Sequence, residues 1–128
     1  MKTTQKLTLA VLLGVAIGVA GGMSIQARQM KAAPGYVIAE VDVKDPATFK
    51  KYGDQVPGTL APFNGHYMIR GGNPQAVEGT PPQRFVVIAF DSVEKARAWE
   101  DSPAYEAIKP IRHSSATSTV FIAEGVAP

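Results

Sequence analysis

Cysteine is absent from this chain of 128 residues. That absence excludes disulfide bonds, thiolate metal sites and a cysteine nucleophile at once. Aromatic residues are few, at 8%, and hydrophobic residues make up 45%, a composition that argues against both a disordered chain and one embedded throughout in a membrane. A chain of this length builds one hydrophobic core, so a single domain is expected.

An excess of one charge is also missing from most of the chain. The formal net charge of +2 comes entirely from Lys2 and Lys6, because the remaining basic residues number 11 and the acidic residues also number 11. Binding to a phosphate backbone needs a basic face, which a chain of balanced charge does not provide. Nucleic acid is therefore not an expected partner.

The N-terminal segment combines two early lysines with an uncharged apolar run. Residues 7–25 are rich in Leu, Val, Ala and Gly, which is typical of an export signal. Because Ala27 suits the end of a cleavage site, residues 1–27 are predicted to be a signal peptide, and the protein to be periplasmic or secreted. The alternative is an uncleaved membrane anchor over residues 7–25, whose length approaches the roughly 20 residues that span a bilayer. Residues 28–34 are predicted to be a short linker.

From residue 35 onward, the hydrophobic spacing alternates between the period of strands and the period of helices. In the second predicted strand, strict alternation places His66 and Arg70 on one face and Tyr67 on the other. Between the second and third main strands, the pattern also allows one short additional strand. The predicted strands cover residues 36–43, 65–70, 76–78, 84–90 and 119–124.

Capping residues mark the starts of the predicted helices. Asp45 precedes apolar residues at helical spacing, and Asp91 or Ser92 precedes a second such run. A third, short helix follows the second. Pro57 is expected to kink or split the first helix, and Pro110 to interrupt the third, because proline lacks the amide hydrogen that the helix needs.

The order of these elements is strand, helix, strand, strand, helix, strand. It predicts an α+β protein with the ferredoxin-like, split βαβ arrangement, in which an antiparallel sheet carries helices on one face only. The other face must be buried by something else. Two such sheets packed face to face would bury it, so the sequence predicts a homodimer.

Short motifs run through residues 35–126 and together resemble one protein family. In chain order they are Gly35-Tyr36, Asp45-Pro46 with Tyr52, Val56-Pro57, Ile69-Arg70-Gly71-Gly72, Glu78-Gly79, Phe90-x-Ser92-x-Glu94, Ala96-x-x-Trp99, Ser102-Pro103-x-Tyr105, Lys109, Arg112 and Glu124-Gly125-Val126. These motifs resemble the bacterial domain of unknown function 1330 (DUF1330) family of the dimeric α/β barrel superfamily.

The resemblance implies a ferredoxin-like α+β domain of the dimeric α/β barrel type over residues 35–126. The superfamily includes heme-dependent enzymes as well as cofactor-free oxygenases and isomerases, so the resemblance does not imply one reaction. The chain departs from the family pattern in two places. Ala89 stands in the third strand where many members carry an acidic residue, and most members lack a leader.

Two arginines are candidates for binding an anionic ligand. Arg70 stands at a strand end before two glycines, where its planar guanidinium can donate several hydrogen bonds. The alternative for Arg70 is a structural ion pair with Glu78 or Glu40. Arg84 and Arg112 are candidates for binding the same anion together with Arg70. The alternative for both is a surface position, in solvent or in a salt bridge.

Aromatic and histidine side chains supply the other candidates. Trp99 and Tyr105 are candidates for lining a pocket between helices and sheet, with core packing as the alternative. His66 is a candidate base, although strand rise separates it from Arg70 by about 13 Å. Neither His66 nor His113 has a second histidine at metal-ligand spacing, so neither a metal nor a cofactor is expected.

Two hypotheses about function remain open from the sequence. The first is an exported homodimer that binds a small organic or anionic ligand, with cofactor-free proton-transfer or oxygenase-type chemistry if it is an enzyme. The second is a non-catalytic, dimerising interaction module tethered at the cell envelope. A pocket with converging polar groups favours the first, and a filled interior favours the second.

Overall fold

The computed structural model describes residues 32–128 of the protein. The predicted signal peptide or anchor, and most of the linker, therefore lie outside the described residues. Among residues 32–128, no helix combines the length and the apolar character needed to cross a membrane.

Within this part of the chain, four strands, three α-helices and a short 3₁₀ turn follow one another. They are β1 (Gly35–Val43), α1 (Pro46–Leu60), the 3₁₀ turn (Ala61–Phe63), β2 (His66–Gly71), β3 (Arg84–Phe90), α2 (Val93–Glu100), α3 (Pro103–Ser115) and β4 (Ala116–Glu124). The strands form one antiparallel sheet in the order β2-β3-β1-β4. This is the ferredoxin-like arrangement, and the predicted α+β fold is confirmed.

Side-chain caps explain where the helices begin. The Asp45 carboxylate accepts a hydrogen bond from the Thr48 amide at 3.2 Å, and the Ser92 hydroxyl accepts one from the Lys95 amide at the same distance. Prolines follow the caps at the starts of α1 and α3, where their missing amide hydrogen costs nothing. Of the two caps proposed for α2, Ser92 is the one used.

Two prolines do not end their helices, so the predicted split at Pro57 and the predicted interruption at Pro110 are wrong. α1 continues through Pro57 and α3 continues through Pro110. A proline inside a helix leaves the carbonyl four residues earlier without its amide partner. For Pro57 that carbonyl belongs to Gly53, and the Arg70 guanidinium donates to it at 2.9 Å. A tertiary contact therefore replaces the missing bond of the helix.

A β-bulge in β2 corrects the predicted facing of its side chains. Tyr67 pairs with Ile88, but the next paired residue, Ile69, lies opposite Val87, so one residue is skipped. The bulge reverses the alternation. Arg70 and Tyr67 consequently lie on the helix side of the sheet, with the guanidinium 4.7 Å from the tyrosine ring centroid. The prediction that His66 and Arg70 share a face is wrong.

The structure also corrects one predicted strand and the start of another. No strand forms at residues 76–78, where Val77 is 97% exposed and has no apolar surface to pack against. β4 begins at Ala116 rather than Thr119, because its first residues pair with the end of β1 at Val43.

The core lies between the helices and one face of the sheet. Its buried residues are Val37, Val56, Leu60, Ile88, Phe90, Ala96, Trp99, Tyr105 and Ile108. Trp99 is 1% exposed and stacks on Tyr105 with ring centroids 3.9 Å apart. Its indole nitrogen donates to the Thr59 hydroxyl at 3.0 Å, so the polar group of the tryptophan is satisfied inside the core.

The opposite face of the sheet carries a row of large apolar side chains that remain partly exposed. Ile38 pairs across β1 with Val87 on one side and with Phe121 on the other. Phe121 remains 44% exposed, and Ile69 on the same face 38%. A row of large apolar side chains therefore crosses this face from β2 to β4.

Candidate functional site: an arginine-lined cleft

An internal cavity of about 40 Å³ lies between α1, α3 and the helix-facing side of the sheet. Valines and an isoleucine from the sheet contribute an apolar part of its wall. The side chains on its wall that carry polar groups are Tyr52, Tyr67, Arg84, Trp99, Tyr105 and Arg112. The volume admits a few water molecules or one group of carboxylate size, and not a ring or a long chain.

Two tyrosines from different helices meet at this cavity. The hydroxyls of Tyr52 in α1 and Tyr105 in α3 are 2.7 Å apart and share one hydrogen bond. Burial raises the pKa of both phenols, because the charged phenolate is disfavoured away from water. Both hydroxyls are therefore protonated at neutral pH. One of the two hydroxyl protons forms the hydrogen bond between the tyrosines. The other hydroxyl proton can be donated to a third group.

Arg112 brings a positive charge to the same place. The side chain is 6% exposed, and its guanidinium lies 5.9 Å from the ring centroid of Tyr52. One of its nitrogens donates to the Ser118 hydroxyl, while the buried Nε has no partner. No carboxylate of residues 32–128 forms an ion pair with it. A buried charge without a counter-charge is costly, so this cluster has donors and charge in excess.

An outer groove of about 490 Å³ opens beside the internal cavity. It is bounded by the end of β1, the first turns of α1 and the ends of β2 and β3. Lys50 and Asp54 in its wall pair with each other at 2.7 Å, so these two charges balance. Arg70 and Arg84 also line the groove and, within residues 32–128, have no carboxylate partner.

Arg84 connects the two spaces. Together with Phe49 and Gly53, it lines both the inner cavity and the outer groove. Its guanidinium lies 5.6 Å from the Phe49 ring centroid, and its buried Nε has no partner. Gly71, at a φ of +90°, makes room for it, because a side chain there would come within 2.9 Å of an Arg84 nitrogen.

The structure gathers most of the predicted site residues around this cleft. Arg112, Tyr105 and Trp99 line the inner cavity, and Arg70 lines the outer groove. His66 is not among them. It is exposed on the other face of the sheet, where its Nε2 lies 3.1 Å from the Asn64 side-chain oxygen.

Tyr52 was not among the ligand candidates drawn from the sequence. Its spacing with Phe49 and Val56 marks it only as part of the apolar stripe of α1. The sequence gives no sign that its hydroxyl meets the one on Tyr105, 53 residues later. That contact depends on how α1 and α3 pack together.

Arg70 donates to the Gly53 carbonyl, which Pro57 leaves without an amide partner, and a double-mutant cycle tests this role. Arg70→Ala should reduce the free energy of unfolding by about 1–2 kcal/mol, since one exposed hydrogen bond is lost. In a Pro57→Ala background the loss should be smaller, because the Gly53 carbonyl then accepts a hydrogen bond from the backbone amide of residue 57. Urea denaturation of the four proteins measures both losses. Equal losses in the two backgrounds would contradict this role.

The fold and the arginine-lined cleft define the class of the protein as a ferredoxin-like α+β domain with a polar cavity between helices and sheet. The chain belongs to the family described as Domain of unknown function (DUF1330), whose profile matches residues 34–126. No curated protein matches the chain.

Solved structures with the same fold come from several organisms. A protein of unknown function from Rhodopseudomonas palustris is 12% identical, with a TM-score of 0.62 over 84% of this chain and 94% of its own. SnoaB, a cofactor-independent oxygenase from Streptomyces nogalater, is 14% identical, with a TM-score of 0.55 over 76% and 97%. A dimeric ferredoxin-like protein of unknown function from Thermobifida fusca is 16% identical, with a TM-score of 0.53 over 74% and 93%. At these identities the similarity establishes the fold alone.

Proposed function

We propose that this protein binds a small organic anion in the cleft between α1 and the sheet. One observation carries the proposal: Arg70, Arg84 and Arg112 come from three different elements and line two adjoining spaces that share Arg84 in their walls. Within residues 32–128, none of the three forms an ion pair with a carboxylate. Arginines in this setting are the usual donors to carboxylate and phosphate groups.

The composition of the cleft favours an organic anion over an inorganic one. Phe49, Pro46 and Val43 give the outer groove an apolar wall beside its arginines. Its volume of about 490 Å³ is within the usual range for sites that hold small organic molecules. A ligand with an acidic group and an apolar body matches both features.

The enzymatic form of the proposal is cofactor-free proton transfer or oxygenation of the bound anion. Arg112 would stabilise negative charge that develops on the ligand, and the protonated hydroxyls of Tyr52 and Tyr105 would donate to it. Because burial raises the pKa of both phenols, they suit donation rather than proton abstraction at neutral pH. Support also comes from the fold of SnoaB, which is described as a cofactor-independent oxygenase.

A second candidate function is a non-catalytic, dimerising module tethered at the cell envelope. The small inner cavity of about 40 Å³ favours it, because most of the interior is filled by side chains. The two candidates share the homodimer and the leader, and they differ in whether the cleft holds a ligand.

In both cases we propose a homodimer formed through the open face of the sheet. Ile38 is the central side chain of the apolar row on that face. Ile38→Lys should convert a dimer to a monomer, because a charge buried in the interface would lack a partner. Val77→Lys is the matched control, since Val77 is 97% exposed in a loop. Light scattering at tens of micromolar measures the mass, and a monomeric wild type would overturn the proposal.

Export by a signal peptide over residues 1–27 also remains a proposal. Native mass spectrometry of protein recovered from its own cell envelope tests it together with the function. We expect a dimer that begins near Arg28 and carries the mass of an organic acid. A ligand-free species that retains residues 1–27 would favour the tethered module instead.

A further inference from the structure

We propose that the ligand of this cleft is a compact diacid, with one carboxylate in the inner cavity and the other in the outer groove. The proposal rests on the proposed function and specifies its ligand class. Two separate spaces carry the proposal, because each is lined by arginines that form no ion pair with a carboxylate of residues 32–128.

The inner position fits one carboxylate. The cavity of about 40 Å³ has no room for a larger group, and its wall is otherwise apolar. The Arg112 side chain lines the cavity and brings a positive charge to it, and the tyrosine pair offers one hydroxyl proton that their shared hydrogen bond does not use. A carboxylate accepts several hydrogen bonds and donates none, so it complements this set of donors. An uncharged group would leave the buried guanidinium without a counter-charge.

The outer position fits a second acidic group. Arg70 and Arg84 line a groove in which the remaining pair of charges, Lys50 and Asp54, already balance. The Gln83 side chain lines the same groove, although its carbonyl oxygen accepts from the Val43 amide at 2.7 Å. A ligand with a single carboxylate in the inner cavity would leave these two arginines without an anion.

The wall residues that the two spaces share limit the linker of the diacid. Phe49, Gly53 and Arg84 line both spaces, so a ligand that occupies both positions would run past an aromatic ring and a residue that has no side chain. A short, unbranched apolar linker meets this requirement. Two carboxylates joined in this way would lie near three guanidinium groups, with Arg84 able to contact both.

Isothermal titration calorimetry of the full chain with length-matched acids tests the proposal. Succinate, glutarate and adipate are compared at low salt with butyrate, valerate and hexanoate. We expect at least one diacid to bind ten times more tightly than the monoacid of the same carbon number. A preference below tenfold for every pair would contradict the proposal that the ligand is a diacid, but it would not contradict the proposed function. Failure of all six acids to bind would contradict the proposed function itself.

A pair of variants tests the position of the second carboxylate. Arg70→Gln should reduce the ratio of diacid to monoacid affinity at least threefold, because only the outer acidic group loses a charged partner. Arg97→Gln, which removes an exposed arginine of α2 outside the cleft, should leave the ratio unchanged. Circular dichroism confirms that both variants fold. A ratio that stays at the wild-type value in Arg70→Gln would overturn the assignment of the outer groove.

Discussion

Trp99→Ala should lower the free energy of unfolding by about 3–5 kcal/mol, the range typical for removing a large buried aromatic side chain. Trp99 is 1% exposed, stacks on Tyr105 at 3.9 Å and lies 5.5 Å from the Phe90 ring, so its removal would leave a large cavity at the centre of the core. Urea denaturation followed by circular dichroism measures the loss.

Trp99→Phe separates packing from hydrogen bonding at the same position. The phenylalanine keeps much of the ring contact but loses the hydrogen bond to the Thr59 hydroxyl. That hydroxyl still donates to the Val56 carbonyl at 2.7 Å, so a smaller loss of about 1–2 kcal/mol is expected. A nearly unchanged stability in Trp99→Ala would contradict the core assignment and would instead make the tryptophan part of an open site.

Arg112→Met should remove ligand binding without reducing stability. The variant replaces a buried charge that has no counter-charge among residues 32–128 with an apolar side chain of similar length, so it breaks no ion pair and leaves no partner charge buried. Loss of the guanidinium should weaken the binding of organic acids by about 2–5 kcal/mol, since a desolvated carboxylate would lose its charged partner. Denaturation and calorimetry of the same protein measure the two effects.

Arg97→Met is the matched control for Arg112→Met, because Arg97 is exposed and lies outside the cleft. It should change neither stability nor binding. If Arg112→Met lowered stability as much as Trp99→Ala does, Arg112 would be a structural residue held by Ser118. The central role that we propose for it in ligand binding would then be wrong.

Local patterns in the sequence were sufficient for most of the fold. Alternating and helical spacing predicted the order of the strands and main helices, and Asp45 and Ser92 marked two helix starts correctly. These signals operate within a few residues along the chain. The core role of Trp99 also follows from its helical spacing with Ala96.

The errors arose where distant residues decide the local structure. Whether Pro57 breaks α1 depends on Arg70, which reaches the freed Gly53 carbonyl from β2. The bulge in β2 depends on its register against β3. That bulge turns Arg70 toward the helices, so strict alternation of side chains along β2 could not predict that Arg70 lies in the cleft.

The candidate site was predictable only in part for the same reason. From the sequence, Arg70, Arg84 and Arg112 were candidates for one anion clamp, and Tyr105 was a separate candidate for a pocket wall. Their meeting with Tyr52 requires the packing of α1 and α3 over the sheet, which no short motif specifies.

The central claim, that unpaired arginines of the cleft hold an organic anion, is tested most directly by nuclear magnetic resonance of arginine side chains. The Nε–H signals of Arg84 and Arg112 are suited to this test, because both nitrogens are buried without a partner. On titration with succinate, glutarate or adipate, these two signals should shift and saturate while that of Arg97 stays unchanged. Signals of Arg84 and Arg112 that stay fixed, or that move only in step with Arg97, would contradict the claim.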